Sequence, residues 1–506
     1  MEVVFQNAKN GELTVTIDGF FFHSSYSPQK EAQRFVENCN FPFSPEIIFI
    51  TEPGISYCAN FFRQKFPSAK LVAVRYLQEF NDFNDKFDFI IDFFSYYKNP
   101  HSFENFLSSH FSDSDILSSV FCSWNATSKC FPDLEQLFWH TIKKITQKAR
   151  TVLITSQFFE KKWFLNTINF FSFLKNPVSL KNMISSDILI IASGPSLQQT
   201  LPLIQKNQEK FFIIVLSSAI KCCFENNIFP DLCFSTDGGY WAKEHLKILE
   251  KNPDTIIALS SESCCQKKIL QTNPVLPLVS EDGISKELSL VSDIKFYKAK
   301  RNGTVSGTAL QFAMDNSTGN IYFCGLDLHS HKGFQHINPN ELQINSHILD
   351  FNLNSAEKKQ VSAMLNSESL KVYEDWFCNF DIRNKKVFRI IEENDKHNTL
   401  GRIQDISVKE FEKKITQNQI KKDFNTFFTK QNNVINLEKI KSFLNKNFFN
   451  VKIKKQLYPL DFIQYSHSKN QEILNNIEEK HQKLFEKIKI ILRYPYFEKT
   501  NNEFWN

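Results

Sequence analysis

Short apolar runs separated by polar or helical stretches characterise residues 1–155. The opening LTVTIDGFFFHS alternates apolar and polar positions around Asp18 and Gly19, which predicts two antiparallel strands joined by a turn. Pro28 precedes the helical stretch QKEAQRFVENC. Further apolar runs lie at residues 47–50, 71–74, 89–91 and 152–154. This alternation predicts β-α-β units and a parallel sheet, a Rossmann-like α/β domain.

The turn after the run at 47–50 bears on whether this domain binds a cofactor. Its sequence, TEPGISYCANFF, has one glycine, Gly54. A nucleotide or S-adenosylmethionine site needs several glycines there, because the backbone must approach the ligand closely. We therefore favour a structural N-terminal domain and leave open whether it binds a ligand.

Residues 156–355 carry the densest set of buried-strand signals. Apolar runs lie at 188–191, 212–216, 232–234, 256–259 and 321–323, with helical patterns between most of them. They predict a central, doubly wound parallel sheet. Residues 356–506 are rich in Lys, Asn and Glu with little strand signal, and NQEILNNIEEKHQKLFEKIKIIL has the spacing of an amphipathic helix. The predicted domains are thus 1–155, 156–355 and a mainly helical 356–506.

Composition narrows the class of protein. The 506 residues carry 60 Lys and Arg against 55 Asp and Glu, a net charge of +5, which gives no reason to expect nucleic acid. The 11 cysteines form no C-x-x-C motif and are expected to be small buried residues in a reducing compartment. The N-terminus lacks signal-peptide features, and no apolar run reaches about 18 residues. We expect a cytoplasmic protein without a membrane span.

Candidate chemistry begins in ILIIASGPSLQQT, residues 188–200. A buried strand ends at Ala192, and Gly194 permits a sharp turn. Pro195 suits a first helical turn, and Ser193 or Ser196 can cap it. The N–H groups at such a helix start attract a phosphate or carboxylate at the carboxyl edge of the sheet. An ordinary capped strand-to-helix turn is the alternative.

Other strand ends favour a ligand site at this edge. Ser217 and Ser218 follow one strand, and STDGGY, with Asp237 and Gly238, follows the next. Asp237 either binds a ribose or base or caps the following helix. The segment RNGTVSGTALQFAM places Thr304, Ser306 and Gly307 before an apolar helix, a second anion-binding turn. NIYFCGLDLHS ends a further strand with Gly325 and Asp327.

The ordered set ASGPSL, FSTDGGYW, GTVSGTAL and CGLDL, with the opening AKNGELTVTIDGFFFHSSYSPQKEA, resembles the motility-associated factor (Maf) family of flagellin glycosyltransferases. The matches span about residues 8–405. The central part is also similar to bacterial sialyltransferases, whose G-x-G-P-S-L turn binds CMP-sugars. Ala192 stands here in place of the first glycine of that turn.

The resemblance implies transfer of a nonulosonic acid, of pseudaminic or legionaminic type, from its CMP form to Ser or Thr hydroxyls of flagellin. It implies no tightly bound cofactor and no essential divalent metal. The residues expected to bind the donor are Ser193, Gly194, Pro195, Ser196, Ser217, Asp237, Gly238, Thr304, Ser306, Gly307 and Gly325.

Catalysis requires a base for the acceptor hydroxyl and fixed donors for the leaving phosphate. The related enzymes carry a functional histidine after G-x-D, so His336 is the favoured base with Asp327 in the catalytic set, and His329 and His331 remain alternatives. Tyr240, Tyr297, Tyr373 and Arg301 are candidates for holding the phosphate, each with a structural role as the alternative. Trp376 with Tyr373, and Gly401 with Arg402, lie in segments that resemble the family and are candidates for closing the site.

Two other functions stay open. Archaeal pterin pyrophosphokinases share a related central domain, but they need Mg²⁺ and clustered carboxylates, and the loops contain no D-x-D pair. A chain that has lost catalysis would be a flagellin-binding factor that grips its partner with C-terminal helices.

Overall fold

A computed structural model describes residues 1–96, 100–328, 336–341, 355, 358, 368–392, 399–417 and 427–493. The chain divides into two compact units. The first unit comprises Met1–Glu160 and Asn450–Lys483, and the second comprises Lys161–Phe449 and Leu484–Asn506. All 11 cysteines are free thiols. In the part of the chain that the structure describes, no helix has the length and apolarity needed to cross a bilayer.

The first unit is built on a parallel sheet, as the apolar runs predict. Its strand order is β6-β5-β4-β7, and β1 to β3 form a separate antiparallel sheet. All five residues of β4 are buried, which explains its continuous apolar sequence. The strands are β1 (Val3–Asn7), β2 (Leu13–Ile17), β3 (Phe20–Phe21), β4 (Ile47–Thr51), β5 (Lys70–Arg75), β6 (Phe89–Asp92) and β7 (Ser119–Ser123). The helices are α1 (Pro28–Asn38), α2 (Cys58–Lys65), α3 (Pro100–His110), α4 (Asp113–Leu117) and α5 (Thr127–Cys130).

The strand predicted at 152–154 is wrong, because these residues lie inside helix α6 (Pro132–Phe173). Ile142, Ile145, Ala149 and Leu153 are buried at helical spacing, whereas Ile154 is exposed. A three-residue apolar run fits a strand or one turn of a helix, and the longer period decides between them. The predicted domain boundary at 155 therefore falls within a continuous helix.

The second unit is centred on a sheet of nine parallel strands. Their order is β14-β13-β12-β11-β10-β9-β15-β16-β17. These strands are β9 (Asp187–Ile191), β10 (Phe211–Leu216), β11 (Leu232–Ser235), β12 (Ile257–Ser260), β13 (Val275–Val279), β14 (Tyr297–Lys298), β15 (Ile321–Cys324), β16 (Val387–Ile391) and β17 (Gln404–Ser407). A short pair, β8 (Val178–Leu180) and β18 (Phe428–Lys430), is antiparallel.

Helices connect the strands of this sheet and follow it. Those of the second unit are α7 (Leu197–Lys206), α8 (Ile220–Glu225), α9 (Tyr240–Leu246), α10 (Lys267–Thr272), α11 (Gly283–Leu290), α12 (Val305–Asn316), α13 (Glu368–Asn379), α14 (Val408–Gln417) and α15 (Leu437–Asn447). Helices α16 (Val451–Leu457) and α17 (Pro459–Ser468) belong to the first unit, and α18 (Gln471–Arg493) runs from the first unit into the second. The amphipathic helix predicted near the C-terminus is α18, in which Ile477, His481, Leu484 and Ile488 are buried at helical spacing.

The sheet extends past the predicted boundary at 355. Strands β16 and β17 pair in parallel with each other, and β16 pairs with β15. Both lie in a Lys- and Asn-rich stretch for which no strand is predicted. Strand β17 (QDIS) is short and polar, whereas β16 (VFRII) is a mainly apolar strand of five residues, as long as β9. In the centre of the sheet, β9 lies between β10 and β15. The chain therefore reverses its direction of travel across the sheet at β9, which makes the edge between β9 and β15 a topological switch point.

Candidate active site

A cavity of about 510 Å³ opens at the carboxyl edge of the large sheet, at this switch point. That volume suits a small-molecule ligand. Nine of the residues predicted for the site contribute to its wall, namely Ser193, Gly194, Asp237, Gly238, Thr304, Ser306, Gly325, Asp327 and His336. The other predicted residues, Pro195, Ser196, Ser217 and Gly307, lie beside the cavity in the chain and do not line it. The sheet thus brings together strand ends that are far apart in sequence.

The turn at Gly194 is shaped by the neighbouring strand end. The Gly194 N–H donates to the carbonyl of Gly325 at 2.8 Å. A Cβ at position 194 would lie 2.5 Å from that carbonyl oxygen and 2.5 Å from Asp327 Oδ2. Glycine is therefore required here because the chain after β15 approaches so closely.

The N-terminus of α7 already holds an anion of the protein itself. Asp327 Oδ2 accepts a hydrogen bond from the Ser196 N–H at 2.9 Å, and Asp327 Oδ1 accepts one from the Ser196 hydroxyl. The helix begins at Leu197, so Pro195 precedes it, and Ser196 donates its hydroxyl to Asp327 rather than capping the helix. The Ser196 N–H is thus occupied by Asp327, and the predicted donor-binding role of the rest of this turn stays a prediction.

The N-terminus of α12 forms another part of the wall. Thr304 is its N-cap, and its hydroxyl oxygen accepts from the Ser306 N–H at 3.2 Å. Within the described part of the chain, this cap is a neutral hydroxyl and not a carboxylate. Lys300 and Arg301 line the cavity just before it. The positive end of the α12 dipole and the Lys300 ammonium make this side of the cavity favourable for an anion.

Arg301 is held by acidic groups at the cavity wall. Its Nη2 lies 2.7 Å from Glu262 Oε1, and its Nη1 lies 3.2 Å from Asp282 Oδ1. Glu262 also accepts from the Ser285 hydroxyl at 2.7 Å. The guanidinium lies 5.2 Å from the ring centroid of Trp163, a cation–π contact. Arg301 is therefore held in position at the cavity wall, and two carboxylates offset its charge.

Sequence reasoning missed Trp163 and Glu262. Trp163 lies on α6 close to Gly238, where a Cβ would come within 2.5 Å of its Nε1. Asn166, also on α6, donates to the carbonyls of Gly238 at 3.2 Å and Glu262 at 2.8 Å. Glu262 follows the strand ALSS and was detectable by the same strand-end rule that identified Asp237. Trp163 gave no such signal, because its helix is distant in sequence from every strand end of the site.

His336 is the predicted base, and it lies in a hydrogen-bonded row of polar groups. Its Nδ1 is 2.8 Å from Ser193 Oγ, which accepts from the Ser218 hydroxyl at 2.9 Å. The Ile337 N–H donates to the Ser193 carbonyl at 2.7 Å, which fixes the histidine segment to the end of β9. Burial, and secondarily the nearby His245, lowers the pKa of His336 to about 4. The imidazole is therefore neutral at pH 7 and able to accept a proton.

Asp237 and Tyr373 line another part of the cavity wall. Asp237 Oδ1 accepts from the Gly239 N–H at 2.8 Å, and Gly239 is the N-cap of α9. Burial, and then the charge of Asp237, raises the pKa of Tyr373. Trp376, on the same helix as Tyr373, packs so closely on Gly307 that a Cβ there would be 2.8 Å from its ring.

The remaining aromatic and basic candidates lie elsewhere. Tyr240 is exposed, and the Tyr297 hydroxyl accepts from the Leu180 N–H at 2.8 Å. Arg402 is exposed and pairs with Asp381 at 3.4 Å. His329 and His331, the alternative bases, lie outside the described residues. Among the residues that are described, no three His, Cys, Asp or Glu side chains gather closely enough to hold a metal ion.

The equivalent edge of the N-terminal sheet is occupied by groups of the protein itself. Buried Glu52 follows β4, and its carboxylate accepts from the N–H groups of Gly54 at 3.2 Å and Tyr76 at 2.6 Å. Its Oε1 also pairs with Arg75 Nη1 at 2.9 Å. Glu52 thus accepts backbone N–H groups from the segments that follow β4 and β5 at this edge of the sheet.

Comparison with known proteins gives the fold a precedent. A solved structure of the Maf glycosyltransferase from Magnetospirillum magneticum AMB-1 matches 98% of this chain and 92% of its own, with a TM-score of 0.53 and 11% identity. The chain has the fold of a Maf glycosyltransferase. The resemblance predicted from the motifs is thereby confirmed in the fold, and the predicted α/β class is confirmed with it.

Two sequence comparisons accompany the Maf fold. The family described as "6-hydroxymethylpterin diphosphokinase MptE-like" matches residues 162–333, which include most of the cavity wall. An uncharacterized protein of Treponema pallidum (strain Nichols) is 27% identical over 312 residues, 61% of this chain and 68% of that protein.

Proposed function

We propose that this protein is a glycosyltransferase that moves a nonulosonic acid, of pseudaminic or legionaminic type, from a CMP-activated donor to Ser or Thr hydroxyls of flagellin. The observation that carries the proposal is the cavity at the switch point of a Maf fold, which has a cationic side at α12 and a neutral histidine on another side. The likeness to Maf and sialyltransferase motifs supports the choice of donor. The proposed location is the cytoplasm.

Each side of the cavity has a role in this reaction. The start of α12, with Lys300, binds the donor's anionic groups and stabilises the charge that develops on the leaving phosphate. The acceptor oxygen attacks the anomeric carbon while the bond to the phosphate oxygen breaks, and its electron pair leaves with CMP. His336 takes the proton of the acceptor hydroxyl. Ser193 positions the imidazole through Nδ1.

Donor binding also tunes the base. A pKa of about 4 makes His336 a weak base in the free protein. A bound dianion nearby favours the protonated imidazole and raises this pKa towards the working pH. The donor thus activates the base that its own reaction needs.

A pterin diphosphokinase is the second candidate, because the MptE-like family matches the central domain. Such an enzyme would use carboxylates to hold Mg²⁺ with ATP. Two of the carboxylates at this cavity have protein partners, since Asp327 binds Ser196 and Glu262 binds Arg301. The third function, a flagellin-binding factor without catalysis, needs no nucleotide site.

Ligand binding separates the three functions. We expect CMP to bind the purified protein and raise its unfolding temperature, whereas ATP with Mg²⁺ and a hydroxymethylpterin should have no effect. Binding of ATP and pterin without CMP would establish the kinase, and binding of none would favour the flagellin-binding factor. Transfer itself is tested by mass spectrometry of flagellin after incubation with a CMP-nonulosonic acid, with His336→Ala as the control.

A further inference from the structure

The side-chain Nδ2 of Asn302 is buried in the cavity wall, and no described residue accepts a hydrogen bond from it. Asn302 is only 6% exposed, and it contributes to the wall of the 510 Å³ cavity. Its Nδ2 makes no hydrogen bond to any residue that the structure describes. Buried polar groups in native proteins are nearly always paired, because an unpaired one loses its hydration without compensation. An amide in this state at a ligand-sized cavity indicates a ligand atom as its partner.

The loop that carries Asn302 is held at both ends. The Ala299 N–H donates to the carbonyl of Val279 at 2.8 Å, and the Thr308 hydroxyl donates to the carbonyl of Lys300 at 3.1 Å. Arg301, next in the chain, is fixed by Glu262 and Asp282. Asn302 is therefore held in place by its neighbours, and its amide is preorganised to meet a ligand at little cost in entropy.

The surroundings of Asn302 determine what kind of atom it meets. An amide nitrogen can only donate, so the partner is a hydrogen-bond acceptor. Lys300 and the start of α12 make this side of the cavity positive, whereas the charge of Arg301 is offset by Glu262 and Asp282. Asp237 and Asp327 make another part of the wall negative and repel an anion there. Acceptor chemistry in a positive field points to an anionic oxygen.

We propose that Asn302 recognises the donor by donating a hydrogen bond from its amide to an anionic oxygen of the ligand. This proposal rests on the function proposed above, and it adds a specificity-determining residue to that site. The oxygen belongs either to the phosphate of the nucleotide or to the carboxylate of the acidic sugar. Both groups present the same acceptor chemistry, so two probes are needed to tell them apart.

The test compares two asparagines of the same segment. Asn302→Leu replaces the amide with an apolar side chain of the same branching and number of heavy atoms. Asn316→Leu is the matched control, because Asn316 ends α12 and its amide already donates to the Phe312 carbonyl at 2.9 Å. Calorimetric titration with CMP and with free N-acetylneuraminic acid measures phosphate and carboxylate binding separately. Asn302→Asp, which keeps the shape but exchanges the donor for a negative charge, is a second variant in case the leucine protein does not fold.

We expect Asn302→Leu to weaken one probe about tenfold or more, the loss typical of a hydrogen bond to a charged group. Its denaturation midpoint should not fall, since an unpaired amide contributes nothing to folding. Asn316→Leu should lower the midpoint and leave both affinities unchanged. The proposal is overturned if Asn302→Leu and Asn302→Asp bind both probes as tightly as the native protein. The native protein is titrated with both probes before any variant is made. If it binds neither probe, the donor assumed in the proposed function is wrong, and this result is distinct from a failure of the Asn302 proposal.

Discussion

Asp327 offers the sharpest test of how this site is built, since the sequence places it in the catalytic set and the structure makes it the cap of α7. Its side chain is 8% exposed, and its two oxygens take the N–H and the hydroxyl of Ser196 at the start of a ten-residue helix. Asp327→Ala removes the charge and both hydrogen bonds. Asp327→Asn keeps the shape and one carbonyl acceptor but no charge.

The size of each effect follows from these contacts. A hydrogen bond to a charged group contributes about 1.5–3 kcal/mol, and a negative charge at a partly buried helix N-terminus adds about 0.3–2 kcal/mol. We therefore expect Asp327→Ala to lower the free energy of unfolding by about 3 kcal/mol. Asp327→Asn retains an acceptor for the Ser196 N–H and should lose about 1 kcal/mol. Ser196→Ala removes the hydroxyl bond alone.

Denaturant unfolding of the two single alanine variants and of the double variant gives the coupling energy between Asp327 and Ser196. A coupling of about 1 kcal/mol or more is expected, because the residues share a hydrogen bond. CMP titration of Asp327→Asn completes the test. If Asp327 serves the fold, its neutralisation leaves CMP affinity unchanged or increases it by removing a like charge. Native-like stability of Asp327→Ala, together with lost CMP binding in Asp327→Asn, would refute the capping role and restore Asp327 as a ligand contact.

Three further predictions concern other buried groups. The pKa of His336, about 4 in the free protein, should rise when CMP binds, so that CMP binding near pH 5 takes up protons. Calorimetry in buffers of different ionisation enthalpy measures this proton uptake. If no uptake is found, the phosphate does not bind close to His336. Burial, and then the charge of Arg75, lowers the pKa of His23 to about 3, below its unfolded value near 6.5, so the stability that depends on neutral His23 is complete above pH 6.5 and is lost as pH falls towards 3. Between pH 7 and 5 the free energy of unfolding should fall by about 2 kcal/mol because of His23. His23→Gln keeps an acceptor for the Ile55 N–H and should reduce this fall by the same amount. An unchanged dependence of stability on pH in His23→Gln would contradict the burial argument. Gly194→Ala places a Cβ 2.5 Å from the Gly325 carbonyl oxygen and should lower the free energy of unfolding by about 2–3 kcal/mol. In Gly239→Ala the Cβ would lie 3.1 Å from an Asp237 oxygen that can move, so the loss should be less than about 1 kcal/mol. Equal denaturation midpoints for the two variants would contradict the close approach at Gly194.

Local pattern was sufficient to predict most of the sheet. Strands such as β9 and β10 are buried on both faces, so their sequences are continuous apolar runs that end in small polar residues. The same rule assigned Asp237, Thr304 and Gly325 to one edge of the sheet, because each follows a predicted strand or precedes a predicted helix. It failed for β16 and β17, which interrupt a charged stretch, and at 152–154, where a helix of 42 residues contains an apolar run.

Contacts between distant residues were beyond the reach of local pattern. Ser196 and Asp327 are 131 positions apart, and Asn166 is 96 positions from Glu262. Nothing in the motif ASGPSL shows that an acidic side chain from another strand end will enter its turn. The sequence therefore indicated the edge of the sheet at which the cavity lies but could not show that the Ser196 N–H at the start of α7 is occupied by Asp327.

The two glycine motifs are best interpreted as one construction. Gly194 has no Cβ, so the Asp327 carboxylate can reach the start of α7. Gly325 has a φ of +68°, and a Cβ there would clash with the Ala192 carbonyl; this turn of the chain brings Asp327 to the start of α7. The turn after β9 and the G-x-D after β15 thus close one helix end with an internal anion. Because Asp327 occupies the start of α7, the donor anion of the proposed function is placed at α12, where Asn302 lies and where the described cap is a neutral threonine.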